Sequence, residues 1–508
     1  VKKNECQSKK ESENMKKYFS LSFLFLLMGA MVTSCKGTSA NQKESNVLRI
    51  YNWQDYIFEG DDENDSVIDQ FIDYYYETYG ERIEVEYYTF ETNENMLNVL
   101  KTGKSSYDLI CPSDYTIQKM IKEGMVEPLD MSLLDNYTQY ASPYIKDLFE
   151  NSKTVNENQE EVSWSDYSIP YMWGTMGFMY DPEMIANEED VETWNVIWNK
   201  DYKGLSTLKD SVRDTYCAAV FYVYQDELNG YNQQYLDGEI TSTEYTAKIT
   251  EVMNRKDDKT IELVEEALQV AKDNIYGFEV DSGKSDIVTG KIAINFCWSG
   301  DAVYSMDCAE EESDKYLNYV VPKEGSNVWF DGWVIPKNAN TKLAHEFLNF
   351  LCDPAIARLN MNEIGYTSAI AGDAILEMVK EWYQPELTDE EIAQGLENGT
   401  LYEWDLTYFF GDSVQESAII YTEELDRQLT AQYPDEETII KCAIMEDFGE
   451  ENEKILEMWA RAKSDQVPIW AWIFIGLVIL GGGTMFAVNK VNKHVRNKRI
   501  QQKKQNAH

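Results

Sequence analysis

The sequence predicts an α/β protein with two lobes, and three observations support this class. Short apolar runs typical of strands alternate with helical patterns over much of the chain, as in a sheet covered by helices. The 508 residues, 43% hydrophobic and 13% aromatic, are enough for more than one packed core. No long Pro/Gly-rich linker precedes Pro468, which favours two joined lobes over separate domains.

The N-terminal segment is typical of an export signal. From Met15, the sequence MKKYFSLSFLFLLMGAMVTSC places two lysines before an apolar run and ends at Cys35. VTSC resembles a bacterial lipobox, which implies cleavage of a signal peptide, 1–34, and a lipid on the Cys35 sulfur. We expect 1–14 to be an over-extended start and 35–46 to be a lipid-anchored polar tether. An uncleaved anchor helix is the alternative, although the apolar run is short for a span.

The first folded elements predict a βαβ unit. VLRIYNW and RIEVEYYTF are typical of strands, and the second alternates Ile83, Val85 and Tyr87 along one face. NENMLNVLKTG has a helical pattern that starts at an Asn and ends at Gly103. The apolar run YDLICPS follows as another strand. Strand, helix and strand at this spacing predict a parallel sheet.

The same alternation continues through the second half of the chain. KIAINFCWSG and WVIP predict strands, and LAHEFLNFLCDP predicts a helix with one apolar face. Residues 228–272 and 375–427 are polar and mainly helical in composition.

The C-terminal segment predicts a membrane span. Residues 467–488 carry no charged side chain over a length that can cross a bilayer. Residues 489–508 contain lysines and arginines but no acid, which predicts a cytoplasmic tail by the positive-inside rule. We therefore predict a C-terminal transmembrane helix, with the folded body on the extracytoplasmic side of the cell membrane.

Composition excludes several classes of function. The chain has 90 acidic and 45 basic residues and a net charge of −45, which repels nucleic acid and attracts small cations, although solubility alone could explain it. His345 is the one histidine within 36–465, so a triad or two-histidine metal site cannot be built there. We expect no metal and no cofactor. The cysteines of the body stand singly, as small buried hydrophobes do: Cys111, Cys217, Cys297, Cys308, Cys352 and Cys442.

Aromatic side chains recur beside carboxylates or hydroxyls where predicted strands end. Ligands of open α/β sheets bind beyond these strand ends. An aromatic face attracts a cation by about 0.5–2 kcal/mol, and a carboxylate adds a charge-assisted hydrogen bond. The pattern predicts a cleft for an alkylammonium, although each residue alone could be core packing or a helix cap. The segments are YNWQDYI, CPSDYTI, LKDSVRDTY, CWSGDAV and VWFDGWV.

Asp331 is the most informative member of this set. It stands between the indoles of Trp329 and Trp333, and the lysines nearest in sequence are Lys323 and Lys337. A carboxylate between indoles must be solvated at the rim of a cleft, paired with a cation of the protein, or available to a cation from outside. We favour the last of these interpretations.

Longer segments resemble the spermidine/putrescine-binding proteins of bacterial polyamine ABC importers. The similarity runs in order through LRIYNWQDYI, YDLICPSDYTIQKMIKEGMVEPLD, IPYMWGTMGFMYD, WNKDYKG, VVPKEGSNVWFDGWVIPKNA, EFLNFLCDPAIA and IGYTSA. The departures are polar insertions near 230–260 and 375–430 and the predicted C-terminal span.

The resemblance implies a type II periplasmic-binding-protein fold, in which two α/β lobes close over a polyamine in a cleft between them. It implies one lobe of 47–167 and 330–374, and a second of 168–329 and 375–464. Matched motif by motif, it implies these ligand-binding residues: Trp53, Gln54, Asp55, Tyr56, Ser113, Tyr115, Ser211, Asp214, Trp298, Asp301, Trp329, Asp331 and Tyr366.

Two of these positions bear on specificity. Ser211 replaces an acid of spermidine-type members, and Asp301 replaces their serine, as in putrescine-type members. Met445 stands where spermidine-type members are expected to place a glutamine, which puts one amine contact in doubt. The resemblance therefore favours putrescine or mixed specificity.

The predicted function is that of an extracytoplasmic substrate-binding protein, which hands putrescine or spermidine to an ABC permease powered by a cytoplasmic ATPase. It is not expected to be an enzyme. One alternative is a membrane-tethered polyamine receptor. Another is a surface glycoside hydrolase, because aromatics beside paired carboxylates also describe sugar cleavage. No dominant acid pair stands out in the sequence, which argues against the hydrolase.

Overall fold

The computed structural model describes residues 46–103, 106–313, 315–425 and 427–464. The chain divides into two compact units, and the first ends at Met458. Of the second unit the structure describes 459–464 alone, and the sheet and the site described below lie in the first.

The strands of the described residues are short except for two. They are β1 (Val47–Trp53), β2 (Glu84–Phe90), β3 (Leu109–Ile110), β4 (Val126–Glu127), β5 (Lys153–Val155), β6 (Glu161–Ser163), β7 (Ser168–Tyr180), β8 (Ser206–Lys209), β9 (Gly277–Glu279), β10 (Ile294–Trp298), β11 (Asn318–Val320), β12 (Ser326–Pro336), β13 (Thr367–Ser368), β14 (Tyr402–Asp405), β15 (Ile419–Thr422) and β16 (Cys442–Ala443).

The helices lie between these strands. They are α1 (Val67–Tyr79), α2 (Asn93–Lys101), α3 (Asp114–Lys122), α4 (Asp135–Tyr140), α5 (Pro143–Asn151), α6 (Val212–Val223), α7 (Gln225–Leu236), α8 (Ser242–Met253), α9 (Asp258–Lys272), α10 (Ser282–Val288), α11 (Ser299–Ser313), α12 (Thr341–Leu351), α13 (Pro354–Ile364), α14 (Asp373–Tyr383), α15 (Asp389–Asn398), α16 (Thr407–Phe410), α17 (Gln428–Gln432), α18 (Glu436–Ile440) and α19 (Asn452–Lys463). Single 3₁₀ turns occur at Met131–Leu133, Trp164–Asp166, Glu188–Asp190, Trp194–Ile197, Lys200–Tyr202, Gly411–Ser413 and Gly449–Glu451.

Two parallel half-sheets meet at a pair of long antiparallel strands. The strand order is β2-β1-β3-β12-β7-β10-β8-β9. On one side β1 pairs in parallel with β2 and β3, and on the other β8 pairs in parallel with β9 and β10. The long strands β7 and β12 are antiparallel to each other. Parallel sheets need helices on their faces, and the alternating helices supply them. This is the two-lobed α/β fold that the sequence predicts.

The two long strands form the buried centre of the molecule. Every residue of β7 and of β12 is buried, which explains why both sequences are nearly continuous apolar runs. The register between them shifts at Asp331/Gly332, so β12 carries a bulge there. A side chain at Gly332 would place its Cβ 2.5 Å from the Ser168 hydroxyl oxygen, so close packing of the backbone requires glycine.

Several predicted elements are confirmed and one strand is longer than predicted. The predicted βαβ unit corresponds to β2, α2 and β3, and LAHEFLNFLCDP forms most of α12. The polar stretch 228–272 is largely helical. The strand predicted at WVIP starts earlier, at Ser326, so Asp331 lies inside a strand and not in a loop before one.

The predicted C-terminal transmembrane helix is corrected. Within the residues that the structure describes, no helix is both long enough and apolar enough to cross a bilayer. The segment on which the prediction rested, 467–488, lies outside the described residues, as do the predicted signal peptide and Cys35. The fold class that the described residues support is the two-lobed α/β fold.

The buried cysteines and His345 are structural. Five cysteines are buried free thiols, as predicted for small hydrophobes: Cys111, Cys217, Cys297, Cys352 and Cys442. The Nε2 atom of His345 accepts a hydrogen bond of 2.9 Å from the Asp130 N–H, and its Nδ1 lies 2.7 Å from the Thr341 carbonyl oxygen. His345 therefore ties α12 to a neighbouring turn.

Candidate ligand-binding site

Asp331 lies at the bulge of β12, where three segments of the chain meet. The Tyr56 hydroxyl, just after β1, donates a hydrogen bond of 2.8 Å to its Oδ2. Ser113, at the start of α3, forms a backbone bridge to Asp331, and its side chain also hydrogen-bonds the carboxylate. Hydroxyl groups thus hold Asp331 in place without cancelling its charge.

Within the part of the chain that the structure describes, the carboxylate of Asp331 has no cationic partner. Among the described residues, no lysine or arginine pairs with Asp331; Lys337, close in sequence, pairs with Glu127 at 3.3 Å. The side chain is 8% exposed. Burial raises the pKa of Asp331 to about 6, although the hydrogen bonds from Ser113 and Tyr56 partly offset this effect. Asp331 is therefore ionised at neutral pH at a cost that an external cation would relieve.

Two more buried carboxyls face Asp331. Asp214 lies in the first turn of α6, and burial raises its pKa to about 6. Asp114 lies in the first turn of α3 and accepts hydrogen bonds from the N–H groups of Tyr115 and Phe330. Burial, with a contribution from Asp331, raises the pKa of Asp114 to about 8. At neutral pH Asp114 is mostly protonated, whereas Asp331 and Asp214 are ionised and repel each other, which makes the region attractive to a cation.

Aromatic rings stand next to these carboxyls. The ring of Tyr366 packs edge-on against the rings of Tyr56 and Trp329, with centroid distances of 5.5 Å in both cases. The Trp329 Nε1–H donates to the Thr175 carbonyl, 3.3 Å away, which fixes the indole on β12. Hydroxyls, rings and carboxyls predicted from separate segments therefore meet around Asp331.

Tyr115 has a cation of the protein on its face. The guanidinium carbon of Arg213 lies 4.2 Å from the Tyr115 ring centroid and 3.6 Å from that of Phe448. The Tyr115 hydroxyl accepts a hydrogen bond of 2.8 Å from the Asn93 side-chain amide. Tyr115 borders the acidic group, although Arg213 already occupies one of its faces.

Asp301 belongs to a separate ionic cluster at the start of α11. Its carboxylate lies 3.4 Å from the Lys209 ammonium and 3.5 Å from the Lys284 ammonium. The Tyr366 hydroxyl donates to it at 2.9 Å. Burial alone would raise the pKa of Asp301, but the two lysines outweigh burial and hold it below the usual range. Lys209 also lies 4.4 Å from the ring centroid of Trp298.

The remaining predicted residues are not brought to Asp331 by contacts in the described structure. Gln54 and Asp55 are exposed, and Asp55 has φ 51° in a turn after β1. Trp53 packs against Phe90 at 4.6 Å. Ser211 is the N-cap of α6, where its hydroxyl accepts the Asp214 N–H.

The site residues that the sequence patterns did not predict are mostly residues that contact the predicted ones. Asn93 and Arg213 contact Tyr115, and Lys209 and Lys284 contact Asp301. Lys209 and Arg213 stand within the segment LKDSVRDTY, so a signal was present. The others come from distant segments, which sequence spacing does not bring together.

This arrangement suits binding of an organic cation. Asp331, which pairs with no cation among the described residues, lies beside aromatic rings, and this combination stabilises an alkylammonium. The described residues contain no group of three or more His, Cys, Asp or Glu side chains placed to hold a metal ion.

The sequence of this chain matches a known protein family whose members bind solutes. The family of bacterial extracellular solute-binding proteins matches residues 70–384 of this chain. The chain belongs to this family. As a solute-binding protein of this kind, it is related to proteins that act on the extracytoplasmic side of the membrane.

The relatives of this solute-binding protein confirm the predicted resemblance. It is 28% identical over 342 residues to a spermidine/putrescine-binding periplasmic protein of Escherichia coli, covering 67% of this chain and 82% of the relative. It is 28% identical over 352 residues to the putrescine-binding periplasmic protein SpuD of Pseudomonas aeruginosa, with the same coverage. A spermidine/putrescine ABC transporter substrate-binding protein from Streptococcus pneumoniae has a similar structure: TM-score 0.50, 26% identity, 82% of this chain and 100% of that one.

Proposed function

We propose that this solute-binding protein captures a polyamine, putrescine or spermidine, and delivers it to an ABC permease powered by a cytoplasmic ATPase. The observation that carries the proposal is the buried Asp331, held by the hydroxyls of Tyr56 and Ser113 and paired with no cation among the described residues. A ligand ammonium would neutralise this carboxylate and recover its cost of burial.

The relatives support the choice of ligand. The curated proteins reported above are described as spermidine/putrescine-binding or putrescine-binding. The aromatic rings of Tyr366 and Trp329 beside Asp331 fit the methylene chain and ammonium of such a ligand. The protein on this account binds and releases its ligand and breaks no bond, so it is not an enzyme.

The strand arrangement supports capture by closure of two lobes. We assign 47–167 with 330–374 to one lobe and 168–329 with 375–464 to the other, as predicted from the sequence. A ligand favours the closed form because it can contact both lobes at once only when the lobes are closed. A lipid on Cys35 would keep the protein at the outer face of the membrane. These assignments are part of the proposal.

Thermal unfolding of the purified full-length chain tests the proposed function. The chain is melted alone and with putrescine, spermidine, free lysine or a maltooligosaccharide. A ligand at 100 times its dissociation constant should add about 2.7 kcal/mol of stability and raise the midpoint. We expect a shift with putrescine and spermidine.

The results with the maltooligosaccharide and with free lysine could contradict the proposed function. A shift with the sugar and none with either polyamine would show that the acidic, aromatic region had been misinterpreted. A shift with lysine and none with either polyamine would keep an ammonium ligand but exclude polyamine transport.

A further inference from the structure

The ammonium of Lys209 is buried and fully engaged. Its side chain is 1% exposed. The Nζ atom lies 2.7 Å from the Val280 carbonyl oxygen, 3.1 Å from a Glu279 oxygen and 3.4 Å from Asp301 Oδ2. Three acceptors satisfy the three N–H donors of an ammonium, so this group is built into the fold.

Lys209 also covers an aromatic face of the site predicted from the sequence. Its Nζ lies 4.4 Å from the Trp298 ring centroid, within the range of a cation–π interaction. The carboxylate and the indole that would bind a second ligand ammonium are therefore both in contact with an ammonium of the protein.

The ionic balance at Asp301 differs from that at Asp331. The buried acids Asp301 and Glu279 are matched by Lys209 and Lys284, and Asp281, which also contacts Lys284, is mostly exposed. Asp331 has hydroxyl partners in place of lysines. One end of the acidic, aromatic region is therefore ready for a cation and the other is already neutralised.

We propose that Lys209 is a specificity-determining residue that fills the second amine position, at Asp301 and Trp298, with an internal ammonium. A diamine is then held by one ammonium, at Asp331, and its second ammonium adds little affinity. The inference rests on the proposed function and names which end of the ligand is recognised. It also reverses the sequence argument that Asp301 favours putrescine, because Asp301 is not available to a ligand.

Displacing Lys209 to admit a second ammonium is unfavourable. A buried ion pair loses its partners when one member is moved, and the remaining Glu279 and Asp301 would be left buried with Lys284 alone. Placing a ligand ammonium next to Lys209 without displacing it brings two like charges together. Both routes reduce the benefit of a second charge on the ligand.

The test compares putrescine with butylamine, which has the same carbon chain and one ammonium. Affinities are measured by titration calorimetry on the full-length chain at about 0.15 M salt, which limits long-range attraction to the acidic surface. Variants are Lys209→Met and, as the matched control, Lys284→Met. The control also removes a positive charge beside Asp301 but leaves Lys209 on Trp298.

The ratio of putrescine to butylamine affinity is the readout. We expect a ratio of about 2–5 for the wild type and for Lys284→Met, including a factor of about two for the two equivalent ends of putrescine. In Lys209→Met, a new charge-assisted contact should raise the ratio at least about tenfold.

The possible failures are distinguishable. A wild-type ratio above about 50 would overturn the inference without any variant, so the test stands even if Lys209→Met does not fold. An unchanged ratio in a folded Lys209→Met would also overturn it. If the wild type binds neither amine, the proposed function fails, and this inference fails with it.

Discussion

At Asp331, burial and hydrogen bonding act on the carboxyl pKa in opposite directions. Burial raises the pKa, and the donors from Ser113 and Tyr56 lower it, with a net value of about 6. At Asp301, the same burial is outweighed by two lysines, and the pKa is below its usual range. These two buried aspartates therefore have opposite roles, which follow from their partners and not from their residue type.

These pKa values predict that amine affinity falls on acidification. Between pH 7 and pH 5 the ionised fraction of a carboxyl with a pKa of about 6 falls about tenfold, and binding at Asp331 should weaken by about that factor. Asp214 has a similar pKa and adds to the loss. Putrescine titrations at several pH values measure it. An affinity that is constant from pH 7 to pH 5 would contradict the role given to Asp331.

The stability of the ligand-free protein should change in the opposite sense. A carboxyl whose pKa is raised from 3.8 in the unfolded chain to about 6 in the folded one binds protons more readily when folded. Stability therefore rises as the pH falls from about 7 to about 4, on the order of 2–3 kcal/mol for Asp331. Denaturant unfolding of the wild type and Asp331→Asn should show a smaller pH slope in the variant.

The sequence predicts the individual members of the site better than their pairing. Tyr56, Ser113 and Asp331 were predicted from three separate motifs and do meet. The engagement of Asp301 was not predicted, because Lys284 comes from another segment and Lys209 gives no sign in the sequence of facing Trp298. Aromatic and acidic motifs in the sequence show where carboxylates lie along the chain. Which of these carboxylates pair with a lysine depends on the fold.

At the scale of elements, the N-terminus of α6 organises one side of the site. Ser211 accepts the Asp214 N–H as a helix cap, and its hydroxyl also hydrogen-bonds the Asp214 carboxylate. Ser211, a predicted specificity position, therefore also has a structural role.

Replacing Ser211 by alanine should cost about 1 kcal/mol of unfolding free energy, the usual value of an N-cap. It should also weaken putrescine binding about threefold, because the Asp214 carboxylate loses a donor and becomes harder to ionise. The control is Thr241→Ala, which removes the cap of α8, where the hydroxyl accepts the Glu244 N–H at 3.2 Å. Equal effects of both variants on binding would contradict this account.

The start of α11 has no room for a side chain at Gly300. A Cβ there would lie 2.3 Å from Cδ2 of the Tyr366 ring. Gly300→Ala should therefore displace the ring, break the hydrogen bond from Tyr366 to Asp301, and destabilise the fold by about 1–3 kcal/mol. We also expect at least about a tenfold loss of putrescine affinity, measured by calorimetry, because Tyr366 packs on Tyr56.

Gly230→Ala is the matched control for this prediction. Gly230 lies inside α7, and a Cβ there would have no atom within 4 Å. Alanine should raise stability by about 0.5–1 kcal/mol at this position and leave binding unchanged. Similar behaviour of both variants would show that Tyr366 tolerates the extra methyl group.

Elements with local signals were predicted well, and the element that depends on tertiary pairing was not. The periodic runs of β2 and α2 have their own turn and cap residues, so their limits are visible in the sequence. Strand β12 includes Asp331, and a charge in an apolar run looks like a strand boundary. It continues as a strand because β7 pairs with it from Val328 to Val334, on both sides of Asp331.

At the scale of the whole molecule, β7 and β12 join the two parallel half-sheets, and Asp331 lies at the bulge between them. On the proposed function, an ammonium bound there would contact the two strands that join the half-sheets. The acidity of the chain, net −45, surrounds this position with a field that favours cations. The position of Asp331 in the fold, its negative charge and the negative field of the chain therefore all favour a positively charged ligand.

The most direct test of the account is the putrescine affinity of Asp331→Asn, measured by titration calorimetry beside Asp62→Asn. Both variants lose one negative charge, but Asp62 is exposed on a surface loop. We expect Asp331→Asn to lose about 100-fold or more in affinity while remaining folded, because asparagine removes a buried charge, and Asp62→Asn to bind as the wild type does. Putrescine binding by Asp331→Asn at wild-type affinity would contradict the central claim.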